Sequence, residues 1–340
     1  MGKQTVLVTG GCGYIGSHVV RKLTEGGAKV VVIDNLSTGF AGALLYGETL
    51  IQGDIGNRTT IERVFAEHHI DAIIHFAAKI RVEESVSDPY LYYSNNTVNT
   101  LELIAAAVRH KVPKFIFSST AATYGQPDHV PVDETAPLRP ASPYGASKMM
   151  SERVLQDIAA AYPAFRFVIL RYFNVAGADP QLRMGQRSPE ATHLIKVACQ
   201  VALGRRPALQ LYGTDYQTVD GTCVRDYIHV EDLASAHLAA LTYLNAGGES
   251  TILNCGYGHG SSVRAVLKAV QEVSGNSFKV IEAARRPGDV AEIVANVDKI
   301  HRVLDWRPQY DDLKTIVQHA YAWEKSLPPY EHLNQQSRVT

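Results

Sequence analysis

Short apolar runs alternate with longer amphipathic stretches over the first half of the chain. Within a run nearly every position is apolar, rather than every second one, which is typical of strands that helices cover on both faces. Alternation of such strands with helices predicts a doubly wound parallel sheet of the α/β class. The predicted strands are Thr5–Thr9, Lys29–Ile33, Ala72–Phe76, Lys114–Ser118 and Phe167–Arg171.

Polar residues follow several of these runs. In a doubly wound sheet, ligands bind in the crevice beyond the carboxyl ends of the strands. We therefore expect the residues after each strand to face one cleft. They are Asp54-Ile55, Phe76-Ala77-Ala78-Lys79, Ser118-Ser119-Thr120 and Tyr172-Phe173-Asn174.

A glycine turn follows the first predicted strand, with Gly10, Gly13 and Gly16 at three-residue spacing before a helix predicted over 17–25. In this pattern the first glycine permits the tight turn, the second lets the backbone approach a pyrophosphate, and the third allows close packing of the helix on the sheet. The second strand ends in Asp34, where a carboxylate binds the adenosine ribose and repels a 2′-phosphate. No arginine follows in 35–37, so the turn predicts a Rossmann domain that binds NAD rather than NADP.

Tyr144 and Lys148 stand four residues apart in SPYGASKMMSERVL, on one face of a predicted helix. A free phenol has a pKa of about 10, which is too high for a useful base. A neighbouring ammonium and a positive nicotinamide ring would lower it, so the pair is a candidate general base for redox chemistry on a hydroxyl group. The same spacing also occurs in ordinary helices, and only the glycine turn favours the catalytic interpretation.

The sequence changes character after Asn174, where irregular stretches containing Pro and Gly surround a helix predicted over 194–203. This change predicts an NAD-binding domain at 1–174, a smaller α/β substrate-binding lobe at 175–330 and a polar tail at 331–340. The run from Arg225 to His237 predicts a short strand and a capped helix with Asp232 near its start. Segment 225–245 is therefore expected to return to the first domain.

Composition and charge argue against several classes of partner and site. The 340 residues carry a net charge of -1, with 33 basic and 34 acidic residues and no long basic run, so neither nucleic acid nor an anionic membrane is an expected partner. No apolar stretch reaches the ~20 residues of a membrane span, and the chain opens on a core strand, so we expect a cytoplasmic protein without a signal peptide. The four cysteines form no CxxC pair and the 13 histidines no HExxH pattern, so we expect no disulfide framework and no metal.

With these residues in view, the chain resembles the extended short-chain dehydrogenase/reductase family and, within it, the epimerases that act on carbon 4 of UDP-hexoses. The resemblance runs from Gln4 to about Trp323. The motifs that carry it are TGGCGYIGSH, the strand-end Asp34-Asn35, Gly53-Asp54-Ile55, HFAA with ESV and YYSNN after it, FSSTAATYG, SPYGASK, LRYFNVAGADP, YGTDYQTVDGTCVRDYIHVEDLA and RRPGD.

The resemblance implies a reversible interconversion of UDP-glucose and UDP-galactose through a 4-keto intermediate. Tyr144 would take the proton of the 4-hydroxyl while NAD takes the hydride of carbon 4, and Thr120 would hydrogen-bond the reacting oxygen. Lys148 would hold the nicotinamide ribose and lower the pKa of Tyr144. The sugar would then turn and accept the same hydride on its other face, so that no cofactor is consumed.

The resemblance also assigns ligand contacts. Arg225, Arg286 and Asn174 would bind the diphosphate of a UDP-hexose, Tyr212 the uracil face and Asp289 a ribose, while His193 and Leu194 would lie at the wall around the sugar. The implied NAD contacts are Gly10, Gly13, Tyr14, Ile15, Gly16, Asp34, Asn35, Asp54, Ile55, Phe76, Ala77, Lys79, Asn96, Ser118, Tyr144, Lys148 and Tyr172.

Related activities stay open as alternatives. Sugar-nucleotide dehydratases carry an acidic pair where this chain has Ala121 and Ala122, so dehydration lacks its proton donor, and decarboxylation is disfavoured for the same reason. Ile293 stands at a family position whose bulk limits space near carbon 2, which favours hexoses over N-acetylhexosamines. The alternatives are a 4-epimerase of UDP-N-acetylglucosamine or UDP-glucuronate, a ketoreductase that exchanges its cofactor, and an NAD-binding sensor without turnover.

Two predicted helices, 97–109 and 146–161, carry apolar residues at helical spacing. Such stripes more often pack into a core. The resemblance implies that the two helices also pair with their copies in a homodimer.

Overall fold

The computed structural model describes residues 4–188, 192–286 and 288–328. Within these ranges, seven strands form one parallel sheet in the order β3-β2-β1-β4-β5-β6-β11, which confirms the predicted doubly wound α/β fold. The strands, numbered along the chain, are β1 (Thr5–Thr9), β2 (Lys29–Asp34), β3 (Thr49–Gln52), β4 (Ala72–His75), β5 (Lys114–Thr120), β6 (Arg166–Tyr172) and β11 (Thr251–Cys255).

Helices cover both faces of the sheet, as the continuous apolar strands require. Val6 and Val8 of β1 join one buried cluster, whereas Leu7 between them joins the other. The first cluster includes residues of α1 (Tyr14–Glu25) and α8 (Val230–Asn245), and the second those of α2 (Arg58–Glu67), α5 (Asn99–Arg109) and α6 (Pro143–Ala161). Between β4 and α5 lie α3 (Val82–Ser87), α4 (Pro89–Tyr92) and a π-helical turn at Tyr93–Val98.

The other elements form small sheets and a helical layer. Strands β7 (Asn174–Ala176) and β10 (Tyr227–His229) pair, as do β8 (Leu209–Tyr212) and β13 (Val280–Ala283), while β9 (Val224–Arg225) lies between β12 (Ser261–Ser262) and β14 (Glu292–Ile293). The helices are α7 (Leu194–Ala202), α9 (Val263–Ser274), α10 (Asp298–Leu304) and α11 (Leu313–Ser326), and short 3-10 turns lie at Ala41–Ala43 and Ala121–Thr123. No helix in the described ranges is long and apolar enough to span a membrane.

The starts of α1 and α6 differ from the predicted ones for local reasons. Helix α1 starts at Tyr14 because Gly13 occupies its N-cap, and α6 starts at Pro143 because the Ser142 hydroxyl accepts a hydrogen bond from the Gly145 amide. At α8 the N-cap is His229, whose ring accepts from the Glu231 amide. Asp232 lies in the first turn, near the start of the helix as predicted.

The predicted division into domains stays a prediction. Helix α8 packs on α1, β5 and β6, the elements to which segment 225–245 was expected to return. The large sheet also takes β11 from 251–255, a segment that the sequence assigned to the second lobe. The predicted tail at 331–340 lies outside the described residues.

Candidate active site

The glycine turn connects β1 to α1 and lies beside the residues that follow β4, at the point where the strand order reverses. Gly10 has φ of +70°, and a Cβ there would lie 2.7 Å from the Ala77 nitrogen, so only glycine fits. A Cβ on Gly16 would lie 2.2 Å from the Gly10 carbonyl oxygen. The third glycine therefore allows the helix to pack on the turn itself rather than on a strand.

The N-terminus of α1 fits an anion. Its N-cap, Gly13, makes no side-chain capping bond, and the first turn of the helix holds no acidic residue. Free backbone N–H groups and the helix dipole at such an end attract a pyrophosphate. Tyr14 and Ile15 are half-buried in the first turn, and the Tyr14 hydroxyl donates to the Gly177 carbonyl (2.6 Å).

Asp34 lies buried at the end of β2, beside this turn. Its carboxylate accepts hydrogen bonds from the backbone amides of Cys12 (2.9 Å) and Leu36 (2.8 Å). Burial raises the pKa of Asp34, and these two bonds oppose the shift. The carboxylate thus fixes the loop, and its contact with a ribose stays a prediction.

The residues that follow β2, β3 and β4 are held in place by hydrogen bonds. Asn35 donates its side-chain amide to Asp54 (2.9 Å), whose other oxygen accepts from the Gly56 amide (2.7 Å). The Asn96 side chain bonds both backbone polar groups of Lys79 (2.8 and 2.9 Å) and the Ser147 hydroxyl (3.1 Å). Asn96 therefore holds the segment after β4 against α6, a positioning role that its sequence motif does not reveal. Ile55 is buried in the core, and Phe76 and Ala77 are half-buried at the end of β4.

Three predicted catalytic residues meet where β5 ends. Thr120 is the last residue of β5, and Tyr144 and Lys148 lie on the facing helix α6. The Lys148 ammonium donates to the Ser118 carbonyl (2.9 Å) and lies 4.8 Å from the centroid of the Phe117 ring. Strand β5 runs two residues beyond its predicted end, because Ser119 and Thr120 still pair with β6.

The ionisation of the pair differs from the expectation. Loss of hydration raises the pKa of Tyr144, and a hydrogen bond with Thr120 acts in the opposite direction. Burial lowers the pKa of Lys148 to about 7, against the influence of Glu152. With the protein groups alone the pKa of Tyr144 is therefore raised rather than lowered, and the influence of a nicotinamide ring stays a prediction.

A buried ion pair supports this arrangement and was not predicted. Glu152 lies one turn after Lys148 and accepts three hydrogen bonds from Arg171 of β6 (2.5, 3.0 and 3.1 Å). The Ser119 hydroxyl donates to the same carboxylate. The pair thus joins α6, β5 and β6, the elements that carry Tyr144, Thr120 and Tyr172. Glu152 follows Lys148 by four residues, just as Lys148 follows Tyr144. This repeated spacing was the signal in the sequence that could have identified Glu152.

Arginines and aromatic residues also face the site from the small sheets and the segments beside them. Arg225 of β9 contacts Asp289 (3.4 Å). The Arg286 guanidinium lies 3.9 Å above the centroid of the Tyr212 ring. Its Nε is buried and has no hydrogen-bond partner within the described ranges, an arrangement that fits an anionic ligand.

Four other predicted contacts line one small cavity, of about 30 Å³. They are Tyr14, Asn174, His193 and Leu194. The His193 ring shares a hydrogen bond with the Gln186 side-chain amide (2.8 Å), which fixes its orientation. The structure therefore brings residues far apart in sequence together at the start of α7.

Ile293 packs away from solvent in a small apolar cluster with Ala121 and Phe173. Ala121 directly follows Thr120, so this cluster adjoins the end of β5. Tyr172 is half-buried at the end of β6, and burial raises its pKa above the ordinary value. The predicted ligand contacts of all these residues stay predictions.

Comparison with known proteins places this geometry in a family. The chain is 55% identical over 322 residues to the UDP-glucose 4-epimerase of Azospirillum brasilense, covering 95% of this chain and 92% of that protein. The structure of the UDP-glucose 4-epimerase of Brucella ovis in complex with NAD superposes with a TM-score of 0.91 at 41% identity, over 94% and 98% of the two chains. That of the UDP-Glc/GlcNAc 4-epimerase of Campylobacter jejuni gives a TM-score of 0.84 at 49% identity, over 95% and 100%.

The model of the NAD dependent epimerase/dehydratase family matches residues 6–256, which include the glycine turn, Thr120, Tyr144 and Lys148. The matched range also holds all of the seven-stranded sheet except Thr5, the first residue of β1. Fold, motifs and full-length relatives agree, and the chain belongs to the NAD dependent epimerase/dehydratase family.

Proposed function

We propose that this protein is a UDP-glucose 4-epimerase, an isomerase that interconverts UDP-glucose and UDP-galactose through a 4-keto intermediate with NAD as cofactor. The observation that carries the proposal is the meeting of Thr120, Tyr144 and Lys148 beside an uncapped helix N-terminus of the Rossmann type. Relatives at up to 55% identity over 95% of the chain bear the same name.

Tyr144 serves as the base that takes the proton of the sugar 4-hydroxyl and later returns it. Thr120 hydrogen-bonds the reacting oxygen and Tyr144, which favours the ionised phenol. Lys148 is fixed by its bond to the Ser118 carbonyl and presents its charge to the ribose beside the base. The glycine turn and Asp34 would hold NAD, which would supply a reversible hydride acceptor for carbon 4.

The remaining residues hold the substrate. Arg225 and Arg286 bind the diphosphate through guanidinium groups that match phosphate geometry, and Tyr212 stacks on the uracil. Because Ala121 and Ala122 offer no carboxyl group, the site lacks the acid that dehydration needs. The buried Ile293 near the end of β5 favours a hexose over a larger N-acetylhexosamine.

Incubation of the purified protein with UDP-galactose, without added NAD, tests the function. We expect chromatography to show UDP-glucose, since the cycle regenerates its cofactor and retains it. The absorbance of NAD released by denaturation should correspond to about one molecule per chain. If no product forms even after NAD is added, the hexose assignment is wrong, and UDP-N-acetylglucosamine and UDP-glucuronate become the next substrates to test.

The homodimer also belongs to this proposal. Part of the apolar stripe of each predicted helix packs into the core: Ile104 is fully buried, and the partly buried Val154 and Ile158 pack on the same cluster. Exposed apolar side chains remain on α5 and α6 and on α3, α4 and the π-helical turn before α5, and exposed apolar surface is typical of an interface. They are Val86, Tyr90, Val98, Leu101 and Met150, which are 40 to 81% exposed.

Sedimentation at micromolar concentration should therefore give the mass of a dimer, and Leu101→Glu should give a monomer because a charge would replace apolar contact area. Leu182→Glu is the matched control, since Leu182 is equally exposed (40%) on a different surface. A monomeric wild-type protein would contradict the dimer.

A further inference from the structure

An acidic residue faces the Arg286 guanidinium from the other side of the cleft. Glu83 lies in α3, between β4 and α5 of the large sheet, and its carboxylate is 3.4 Å from Arg286 Nη1. The Glu83 side chain is 68% exposed, and that of Arg286 is 37% exposed. The two residues belong to segments more than 200 positions apart, and no other ion pair of Arg286 is found within the described ranges.

The other two arginines of this region differ in their partners. Arg225 contacts Asp289, and Arg285 contacts Asp215 (2.7 Å), both from the same group of elements as the arginine itself. Arg286 alone among these three pairs with the NAD-binding side, while its buried Nε stays without a partner. Its charge is thus only partly satisfied by the protein.

We infer that Glu83 is an affinity-setting residue, which holds Arg286 until the diphosphate of a UDP-sugar displaces it. This inference rests on the proposed role of Arg286 in diphosphate binding. Glu83 contacts Nη1 while Nε is buried, so a diphosphate that approaches the open side of the guanidinium competes with the carboxylate for the same donors and is repelled by its negative charge. Binding of the substrate therefore breaks the Glu83–Arg286 pair, and release of the product allows it to form again.

The exposure of the pair limits its strength. Exposed ion pairs typically contribute 0.2–1 kcal/mol, which corresponds to about a 1.4- to 5-fold change in an equilibrium constant. Glu83 accordingly weakens the binding of UDP by a small factor and favours product release. It does so without touching the reacting atoms, so it is a positioning residue and not a catalytic one.

Calorimetric titration of the NAD-loaded protein with UDP tests the inference. We expect Glu83→Gln to lower the Kd of UDP about 2- to 5-fold at low salt, and less at high salt because ions screen the pair. Uridine, which has no phosphate, should bind equally to both proteins. Glu249→Gln is the matched control, since Glu249 forms a similarly exposed ion pair with Arg166 (3.2 Å) at the start of β6, away from the carboxyl ends of the strands.

The double variant Glu83→Gln/Arg286→Gln separates direct competition for Arg286 from a general effect of the Glu83 charge. If Glu83 acts through Arg286, Glu83→Gln should have no effect on the Kd of UDP in an Arg286→Gln background. An equal gain in both backgrounds, or no gain in the wild type, would overturn the inference and leave the proposed function intact. A Kd of UDP unchanged by Arg286→Gln would overturn the inference and also the assignment of Arg286 to the diphosphate.

Discussion

Tyr144→Phe should lower kcat for UDP-galactose on the order of 10³-fold, because a general base typically contributes 10²- to 10⁴-fold. Phenylalanine fills nearly the same volume but has no hydroxyl to accept the proton of the sugar. The loss should appear in kcat, with little change in KM, since the residues proposed to bind the diphosphate and the uracil lie outside α6. Initial rates of UDP-glucose formation by the NAD-loaded proteins provide the measurement.

Two further measurements make this result specific. The NAD content of Tyr144→Phe should equal that of the wild type, which excludes a loss of rate through loss of cofactor. Tyr162→Phe is the matched control, since Tyr162 ends the same helix with its side chain 49% exposed. A Tyr144→Phe protein that keeps more than a tenth of the wild-type kcat would rule out Tyr144 as the base.

The sheet was predictable where both of its faces are buried. Continuous apolar runs gave five strands within two residues of their observed ends, since no polar position interrupts a strand between two helical layers. Two strands were missed. β3 is four residues long and exposed at both ends, and β11 begins at the half-buried Thr251. Both are edge strands, which carry a weaker apolar signal than central ones.

The candidate site was predictable where one local motif holds its residues together. The spacing of Tyr144 and Lys148 placed both on α6, and the glycine spacing located the turn after β1. Spacing does not report hydration, however. The direction of the Tyr144 pKa depends on how far water is excluded around the hydroxyl, and that is a property of the packed structure.

Contacts between distant segments were not predictable from one sequence. The pairing of Glu83 with Arg286 and that of Glu152 with Arg171 need the tertiary fold, because no local pattern brings their partners together. A glutamate in a helix and an arginine in a strand each look like ordinary surface residues in isolation. Only their burial in the folded structure shows that Glu152 and Arg171 contribute to its stability.

Glu152→Gln should lower the free energy of unfolding by about 3–5 kcal/mol, the usual cost of removing one partner from a buried ion pair. Glu152 is fully buried and Arg171 is 2% exposed, so water cannot solvate the guanidinium that loses its counter-charge. Urea unfolding followed by circular dichroism, in excess NAD for all variants, gives the measurement. The matched control is Glu272→Gln, whose exposed partner Lys268 lies 3.9 Å away in α9, and its change should stay within about 0.5 kcal/mol.

Non-additivity would show that the pair acts as a unit. Arg171→Gln should cost far less in a Glu152→Gln background than in the wild type, because the second substitution removes an already unpaired charge. Since the same carboxylate binds Ser119 beside Thr120 and follows Lys148 by one helical turn, loss of stability and loss of epimerase activity should appear together. A Glu152→Gln protein destabilised by less than 1 kcal/mol would mean that Ser119 and Tyr124, the other polar neighbours of the pair, hold the three elements in register without it.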